Sequence, residues 1–175
     1  MFKKNNKYKL LRVFFDSPTD EFRLRELGRI SEISPASVIN YLKEFGKQHL
    51  IERIEKRGVP FYKAERENID FIFYKKISIL YELNKSGLID ELWSKLCPQA
   101  IILYGSYARG ESTEDSDIDL FIIGKEKNFD LTKFEKEIGK SIHLMFDKNV
   151  ENIPKELKNN LINGIVLKGY FKVFK

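Results

Sequence analysis

Hydrophobic residues recur along the chain with two different spacings. Val38, Leu42 and Phe45 repeat at i, i+4 and i+7, which is the pattern of a helix that buries one face. Residues 100–104 instead form a short, continuous apolar run that ends at Gly105, which is typical of a buried strand. The mixture of amphipathic helices and short apolar strands predicts an α+β protein.

The same pattern predicts the order of elements along the whole chain. Ser34 suits a helix N-cap, Pro35 the first helical position and Gly46 the end of that helix. The predicted helices span 8–15, 25–30, 35–46, 67–86, 89–96, a short segment from 106, 131–139 and 154–162. The predicted extended segments are 22–24, 51–54, 61–63, 100–104, 118–123 and 141–146, and residues 165–173 end the chain. We expect the later strands to form a small mixed sheet with helices on one side.

Residues 1–66 have the order helix, helix, helix and basic hairpin, which resembles a winged helix-turn-helix domain. The resemblance implies that the third helix enters the major groove of double-stranded DNA, while the hairpin contacts the backbone or the minor groove. Residues on the outer side of that helix, together with cations of the hairpin, are the candidate DNA contacts: Ser37, Asn40, Tyr41, Lys43, Lys56 and Arg57. The alternative is that this domain mediates dimerisation or binds a partner protein.

Charge separates the two parts of the chain. The net charge is +5, and residues 1–66 carry 15 Lys and Arg against 9 Asp and Glu, so the remainder is close to neutral. This asymmetry indicates two domains with different partners. The long helix predicted at 67–87 links them, before a second domain at 88–175. Its apolar stripe predicts a packing surface, either for the second domain or for a second copy of the chain in a homodimer.

Composition excludes several other classes of protein. The single cysteine, Cys97, leaves no intramolecular disulfide or cysteine-based zinc site, and we expect it to be a reduced core residue. No apolar segment follows the first lysines, and the apolar stretch 69–83 is interrupted by Lys75 and Lys76. We therefore expect a cytoplasmic protein without a membrane partner.

The chemistry is concentrated between residues 104 and 120. Asp117 and Asp119 flank Ile118 at the start of a predicted strand, so both carboxylates share one face. Two like charges this close repel unless a cation lies between them, and carboxylates that act together with phosphates typically bind Mg²⁺. Gly105 allows a sharp turn, and a helix that begins at Ser106 favours an anion at its free N–H groups. The alternative is a turn followed by a strand with a solvated acidic edge.

Gly-Ser, ten intervening residues and Asp-x-Asp resemble the minimal nucleotidyltransferases of the DNA polymerase beta superfamily. The resemblance covers about residues 88–175. It implies that Asp117 and Asp119 bind Mg²⁺, which carries ATP or another nucleoside triphosphate, while Gly105 and Ser106 hold the phosphates. Arg109 is a candidate to neutralise the polyphosphate, although an exposed arginine can also simply be solvated.

One position departs from the pattern of this family, whose members usually carry a third carboxylate on the next strand. Here strand alternation places Ser141, His143, Met145 and Asp147 on one face, and His143 falls where the acid is expected. A neutral imidazole can act as a general base, but it does not replace a carboxylate as a Mg²⁺ ligand. The alternative is that His143 is a hydrogen-bonded residue without a chemical role.

Three functions follow from these residues. The first is a Mg²⁺-dependent nucleotidyltransferase whose acceptor is a macromolecule, by analogy with minimal nucleotidyltransferase antitoxins that modify a helical toxin partner. The second is a transcription regulator that senses a nucleotide without turnover. The third is an antitoxin that neutralises its partner by stable binding and represses its own operon.

Overall fold

The computed structural model describes residues 5–148 and 153–171, and the chain divides into two compact units. The amino-terminal unit comprises residues 1–75, and the carboxy-terminal unit comprises residues 76–175. The last two positions of the predicted segment 165–173 lie outside the described residues.

In its described residues, the amino-terminal unit contains three complete helices and a three-stranded antiparallel sheet. Its elements are α1 Asn6–Asp16, β1 Glu21–Phe22, α2 Leu24–Ser31, α3 Pro35–Lys47, β2 Ile51–Lys56 and β3 Val59–Ala64. The strands lie in the order β1-β3-β2. Their core is rich in phenylalanine, and Phe14 and Phe45 are fully buried within it.

Helix α3 begins as the capping signal predicts but ends later. The Ser34 hydroxyl accepts a bond from the Ser37 N–H, and Pro35 occupies the first turn. Gly46, predicted to end the helix, is instead a helical residue, which corrects that expectation. The left-handed turn comes three residues later at His49, with φ of 54°, and the Leu50 N–H bonds back to the Phe45 carbonyl. The hydrogen bond from the Leu50 N–H to the Phe45 carbonyl thus determines where the helix ends, and it places the buried Leu50 side chain in the core.

The hairpin of β2 and β3 is tighter than predicted. Its connection is only Arg57 and Gly58, and both residues have positive φ, 52° and 74°. Two left-handed residues match the twist of the flanking strands, so pairing extends to Lys56 and Val59 at the tip. The predicted strands 51–54 and 61–63 are therefore each longer in the structure, and Lys56, Val59 and Pro60 belong to them.

The carboxy-terminal unit contains a four-stranded mixed sheet. Helix α4 Ile69–Lys85 begins in the amino-terminal unit. It is followed by α5 Leu88–Leu96, β4 Ala100–Tyr104, α6 Gly105–Arg109, β5 Ile118–Ile123, α7 Thr132–Ile138, β6 Ile142–Asp147, α8 Lys155–Ile162 and β7 Ile165–Gly169. The strand order is β6-β5-β4-β7. Strand β4 is antiparallel to both of its neighbours, whereas β5 and β6 are parallel.

Both faces of this sheet are covered. Ile101 and Leu103 belong to the cluster that packs against α4, α5 and α7. Ala100 and Ile102 belong to a second cluster that includes Leu161 of α8 on the opposite face. The expectation of helices on one side is therefore wrong. A strand that is apolar at every position exposes hydrophobic surface on both faces, and α8 removes the second face from water.

Cys97 also differs from its predicted position in the core. It follows α5 in a left-handed conformation, with φ of 49°, and its side chain is exposed. The turn that ends α5 directs this side chain away from the apolar face of the helix. Among the described helices, none is long and apolar enough to cross a membrane.

Gly169→Ala should strongly destabilise the carboxy-terminal unit. Gly169 has φ of 87°, and an added Cβ would overlap the Gln99 carbonyl oxygen and lie 2.9 Å from the Ala100 Cα, so the pairing of β4 with β7 must shift. We expect a loss of about 2–5 kcal/mol in the free energy of unfolding, from left-handed strain and overlap together. Urea unfolding followed by the fluorescence of Trp93, the single tryptophan, measures this loss.

Gly139→Ala is the matched control for this substitution. Gly139 has φ of 80°, but a Cβ added there would have no atom within 4 Å, so only the strain of about 1–2 kcal/mol applies. Equal losses for the two variants would show that the close packing at Gly169 contributes nothing.

Candidate active site

The Gly-Ser turn lies directly against the second aspartate. Tyr104, the last residue of β4, pairs with Asp119 of β5, so the turn that follows β4 is adjacent to the Asp119 side chain. Gly105 has φ of 71°, and a Cβ there would lie 2.5 Å from Asp119 Oδ2. Glycine adopts this backbone conformation without strain, and its lack of a Cβ leaves room for the carboxylate oxygen at its observed position. The two halves of the sequence motif thus form one site.

The aspartates differ in their surroundings. Asp117 precedes β5 and is exposed, whereas Asp119 lies within the strand with 30 % of its side chain exposed. Ile118 and Leu120 are fully buried on the other face of β5, as the alternation predicts. Asp119 therefore projects from the same face as Tyr104 and Phe121.

Burial raises the pKa of Asp119 above its usual value of 3.8. The nearby charge of Asp117 raises this pKa further, while the interaction with His143 lowers it. Burial also raises the pKa of the Tyr104 hydroxyl, and the charge of Asp119 adds to that increase. The site thus holds a carboxylate whose charge is incompletely compensated by the protein.

His143 lies beside Asp119 on the neighbouring strand. The two residues are register partners in the parallel pair of β5 and β6, and His143 Nδ1 is 3.6 Å from Asp119 Oδ1. This distance is beyond a normal hydrogen bond, and 60 % of the His143 side chain is exposed. Asp147 pairs with Ile123 at the far end of β5, about 13 Å along the strands from Asp119. The structure therefore places His143, and not Asp147, at the aspartates.

The first helix after the turn carries the remaining motif residues. Ser106 is half-buried in the first turn of α6, and Tyr107 and Ala108 are buried in the core. Arg109 is exposed, and its Nε donates to Glu111 Oε2 at 2.7 Å. Arg109 thus faces solvent near the turn with its charge partly balanced.

A polar cavity of about 410 Å³ adjoins the turn. Gly105, Arg109 and Glu111 contribute to its wall from the motif, and Lys76, Asn160 and Asn163 contribute from α4 and the end of α8. Sequence reasoning missed the last three residues because no spacing links them to the motif. The two aspartates do not line this cavity.

The donor set fits magnesium that arrives with a substrate. Asp117 and Asp119 are close enough for their charges to interact, and hard oxygen ligands of this kind suit Mg²⁺. No group of three or more histidine, cysteine or acidic residues is arranged to hold a metal in the described ranges 5–148 and 153–171. Two carboxylates leave coordination positions for water and phosphate oxygens, as Mg²⁺ prefers.

The candidate DNA contacts lie in the amino-terminal unit in different environments. Asn40 and Lys43 are exposed on α3, and Arg57 is exposed at the hairpin tip. The Ser37 hydroxyl bonds the Ser34 hydroxyl at 3.0 Å. Two further candidates have contacts within the unit: Tyr41 packs against the core, and Lys56 forms an ion pair with Glu21.

The fold and the site together define a small α+β domain in which a Gly-Ser turn lies against one of two neighbouring carboxylates. The family model described as "Nucleotidyltransferase domain" matches residues 85–168. Two proteins of Methanocaldococcus jannaschii extend this similarity. "Putative protein adenylyltransferase MJ1379" is 36% identical over 74 residues, which cover 37% of this chain and 74% of that protein.

"Putative protein adenylyltransferase MJ1305" is 33% identical over 101 residues, or 49% of this chain and 68% of that protein. A third relative from the same organism, "Putative protein adenylyltransferase MJ0604", is 71% identical over 24 residues, or 14% of this chain and 24% of that protein. No solved structure matches the chain. The chain belongs to the nucleotidyltransferase family, and at the family level it is a transferase.

Asp119→Asn should stabilise the protein at neutral pH. The folded state disfavours the ionised carboxylate, so the wild type gains stability as the pH falls through the raised pKa of Asp119, and the variant cannot. We expect a higher midpoint of thermal unfolding for the variant at pH 7, with a difference that shrinks towards pH 4 and is absent below 3.8, the usual value for this group.

Asp130→Asn is a control for which we expect the opposite change in stability. Hydrogen bonds from Thr132 lower the pKa of Asp130, so its ionised form stabilises the folded state and this variant should be less stable at pH 7. Its deficit should diminish as the pH falls. An Asp119→Asn variant that melts below the wild type at pH 7 would contradict the cost assigned to the buried charge.

Proposed function

We propose that this protein transfers a nucleoside monophosphate, AMP first among them, from a magnesium-bound triphosphate to a hydroxyl group of a macromolecule. The observation that carries the proposal is the contact between Gly105 and the Asp119 carboxylate, with Asp117 alongside. Membership of the nucleotidyltransferase family supports the reaction type. The names of the relatives, which are those of protein adenylyltransferases, support ATP as donor and a protein as acceptor.

Each residue of the site has a defined part in this reaction. Asp117 and Asp119 would hold Mg²⁺, whose chemistry is to neutralise charge on the triphosphate and on the departing oxygen. Gly105 and Ser106 would bind phosphate oxygens, and Arg109 would balance the charge of the polyphosphate. His143, beside Asp119, would accept the proton of the acceptor hydroxyl. The acceptor oxygen forms a bond to the α-phosphorus, the bond to the β-phosphate oxygen breaks, and pyrophosphate leaves.

The identity of the acceptor rests on chemistry and analogy. A protein is the acceptor that the names of the relatives imply for those proteins, and a hydroxyl group of a protein is the acceptor that we propose for this chain. A helical toxin-like protein is one such partner, in keeping with the analogy to the minimal nucleotidyltransferase antitoxins. A homodimer formed through the apolar residues of α4 stays a prediction.

A second candidate function is nucleotide sensing with little or no turnover, in a transcription regulator or in an antitoxin that acts by binding. The observation that favours it is His143 in the place where a third carboxylate is expected, since an imidazole does not supply an anionic oxygen to the metal. Two carboxylates then suffice for binding Mg²⁺ and nucleotide but leave the reaction slow.

We further propose that the amino-terminal unit is a winged helix domain that binds double-stranded DNA. Helix α3 exposes Asn40 and Lys43 along its length, and the two-residue hairpin presents Arg57 at its tip. Residues 1–66 also hold a surplus of basic residues, which favours a polyanionic partner. Asn40 offers the amide that can pair with an adenine edge.

Labelled-ATP transfer tests the enzymatic proposal. With α-³²P-ATP, Mg²⁺ and proteins of the native host lysate, we expect the wild type to label a protein band. Asp117→Ala/Asp119→Ala should lose this label entirely, because removal of both carboxylates removes the metal site. Binding of Mg–ATP by the wild type without any label would favour the sensing function instead.

In the same assay, His143→Ala and His143→Gln test whether the histidine is a general base or a residue without a chemical role. A general base typically contributes about 10²–10⁴-fold to the rate, so both variants should label at least a hundredfold more slowly while they retain Mg–ATP binding. Labelling at the wild-type rate would show that His143 has no part in the proton transfer.

An electrophoretic mobility shift with the DNA immediately upstream of the gene tests the amino-terminal proposal. Lys43→Gln/Arg57→Gln should weaken binding on all sequences and reduce the slope of log affinity against log salt by about 2, because two phosphate contacts are lost. Lys9→Gln, on α1, removes one charge outside the proposed interface and serves as the control. No shift, or a shift that salt does not affect, would refute DNA binding.

A further inference from the structure

The cavity beside Gly105 contains a cation from outside the sequence motif. Lys76 lies on α4, before the residues 85–168 that the family model matches, yet it lines the same cavity as Gly105 and Arg109. All the lining residues belong to the carboxy-terminal unit. The cavity therefore joins the phosphate-binding turn to a helix that precedes the family segment.

Three other lysines of the same unit lie beside a counter-ion. Lys85, Lys95 and Lys168 each contact a carboxylate, at 3.3, 2.7 and 2.6 Å. Within the part of the chain that the structure describes, the half-buried Lys76 has no hydrogen-bond or ion-pair partner. A partly desolvated ammonium without a counter-ion favours an anion at its side.

The charges of the cavity wall also favour an anion. Two cations, Lys76 and Arg109, face a single carboxylate, Glu111, which already accepts a bond from Arg109. Asn160 and Asn163 add side-chain amides, of which Asn163 already donates to the Asn159 carbonyl. The volume of about 410 Å³ lies within the usual range for a small-molecule site, roughly 300–1,000 Å³.

We propose that this cavity receives the terminal phosphates of the nucleoside triphosphate and that Lys76 is a binding residue for them. The inference rests on the proposed function, because it extends the phosphate site from the Gly105 turn. The metal-holding aspartates do not line the cavity, so the α-phosphate would stay at Asp119 while the chain of phosphates extends past Gly105 towards Lys76 and Arg109. Lys76 thus distinguishes a triphosphate from a monophosphate.

Calorimetric titration of the full chain with Mg–ATP, Mg–ADP and AMP tests the assignment. Lys76→Gln should weaken Mg–ATP binding about tenfold, the effect of one charge-assisted hydrogen bond, and leave AMP binding within twofold of the wild type. Lys136→Gln is the matched control: this exposed lysine of α7 lies outside the cavity, and its loss should change neither affinity. Thermal unfolding of each variant checks that the fold is intact.

The outcomes separate this inference from the function on which it rests. Wild-type protein that binds none of the three nucleotides would overturn the proposed function and the inference with it. Wild-type binding of Mg–ATP that Lys76→Gln leaves unchanged would overturn the inference alone. An equal loss for Mg–ATP and AMP would place Lys76 at the nucleoside end and overturn its assignment to the terminal phosphates.

Discussion

The site depends on the close approach of the Gly105 backbone to the Asp119 carboxylate. The antiparallel pairing of Tyr104 with Asp119 places the end of β4 beside the second aspartate of the motif, on β5. A left-handed φ and the absence of a Cβ then let the turn lie against the carboxylate oxygen at its observed position. The residues that would carry phosphate and those that would carry its cation are adjacent for this reason.

This arrangement has an electrostatic cost that is consistent with a binding role. Asp119 is partly withdrawn from water beside a second carboxylate, and both effects disfavour its charge. His143 offsets part of this, but its 3.6 Å separation from Asp119 and its exposure limit the compensation. Because the protein compensates the charge of Asp119 only in part, a cation bound there would stabilise that charge further. Functional sites commonly retain such locally unfavourable interactions.

Much of the organisation was predictable because the relevant forces are local. The apolar run of β4, which ends at Gly105, and the largely apolar run of β5, which begins after Asp117, predicted both strands at their observed bounds. Alternation along β5 placed Ile118 and Leu120 in the core, and alternation along β6 placed His143 on the face expected for the third acid. The Ser34-Pro35 signal started α3 correctly. In each case the side-chain spacing itself carries the information.

The sequence by itself therefore determined the elements, their buried faces and the motif that defines the family. Tertiary structure alone decided which elements became neighbours. It placed α8 on the second face of the sheet, selected the two-residue turn at Arg57 and Gly58, and exposed Cys97. It also brought Lys76 to the cavity beside Gly105, 29 positions away along the chain. Such contacts arise from the burial of whole faces and from long-range strand pairing, which no local spacing of residues encodes.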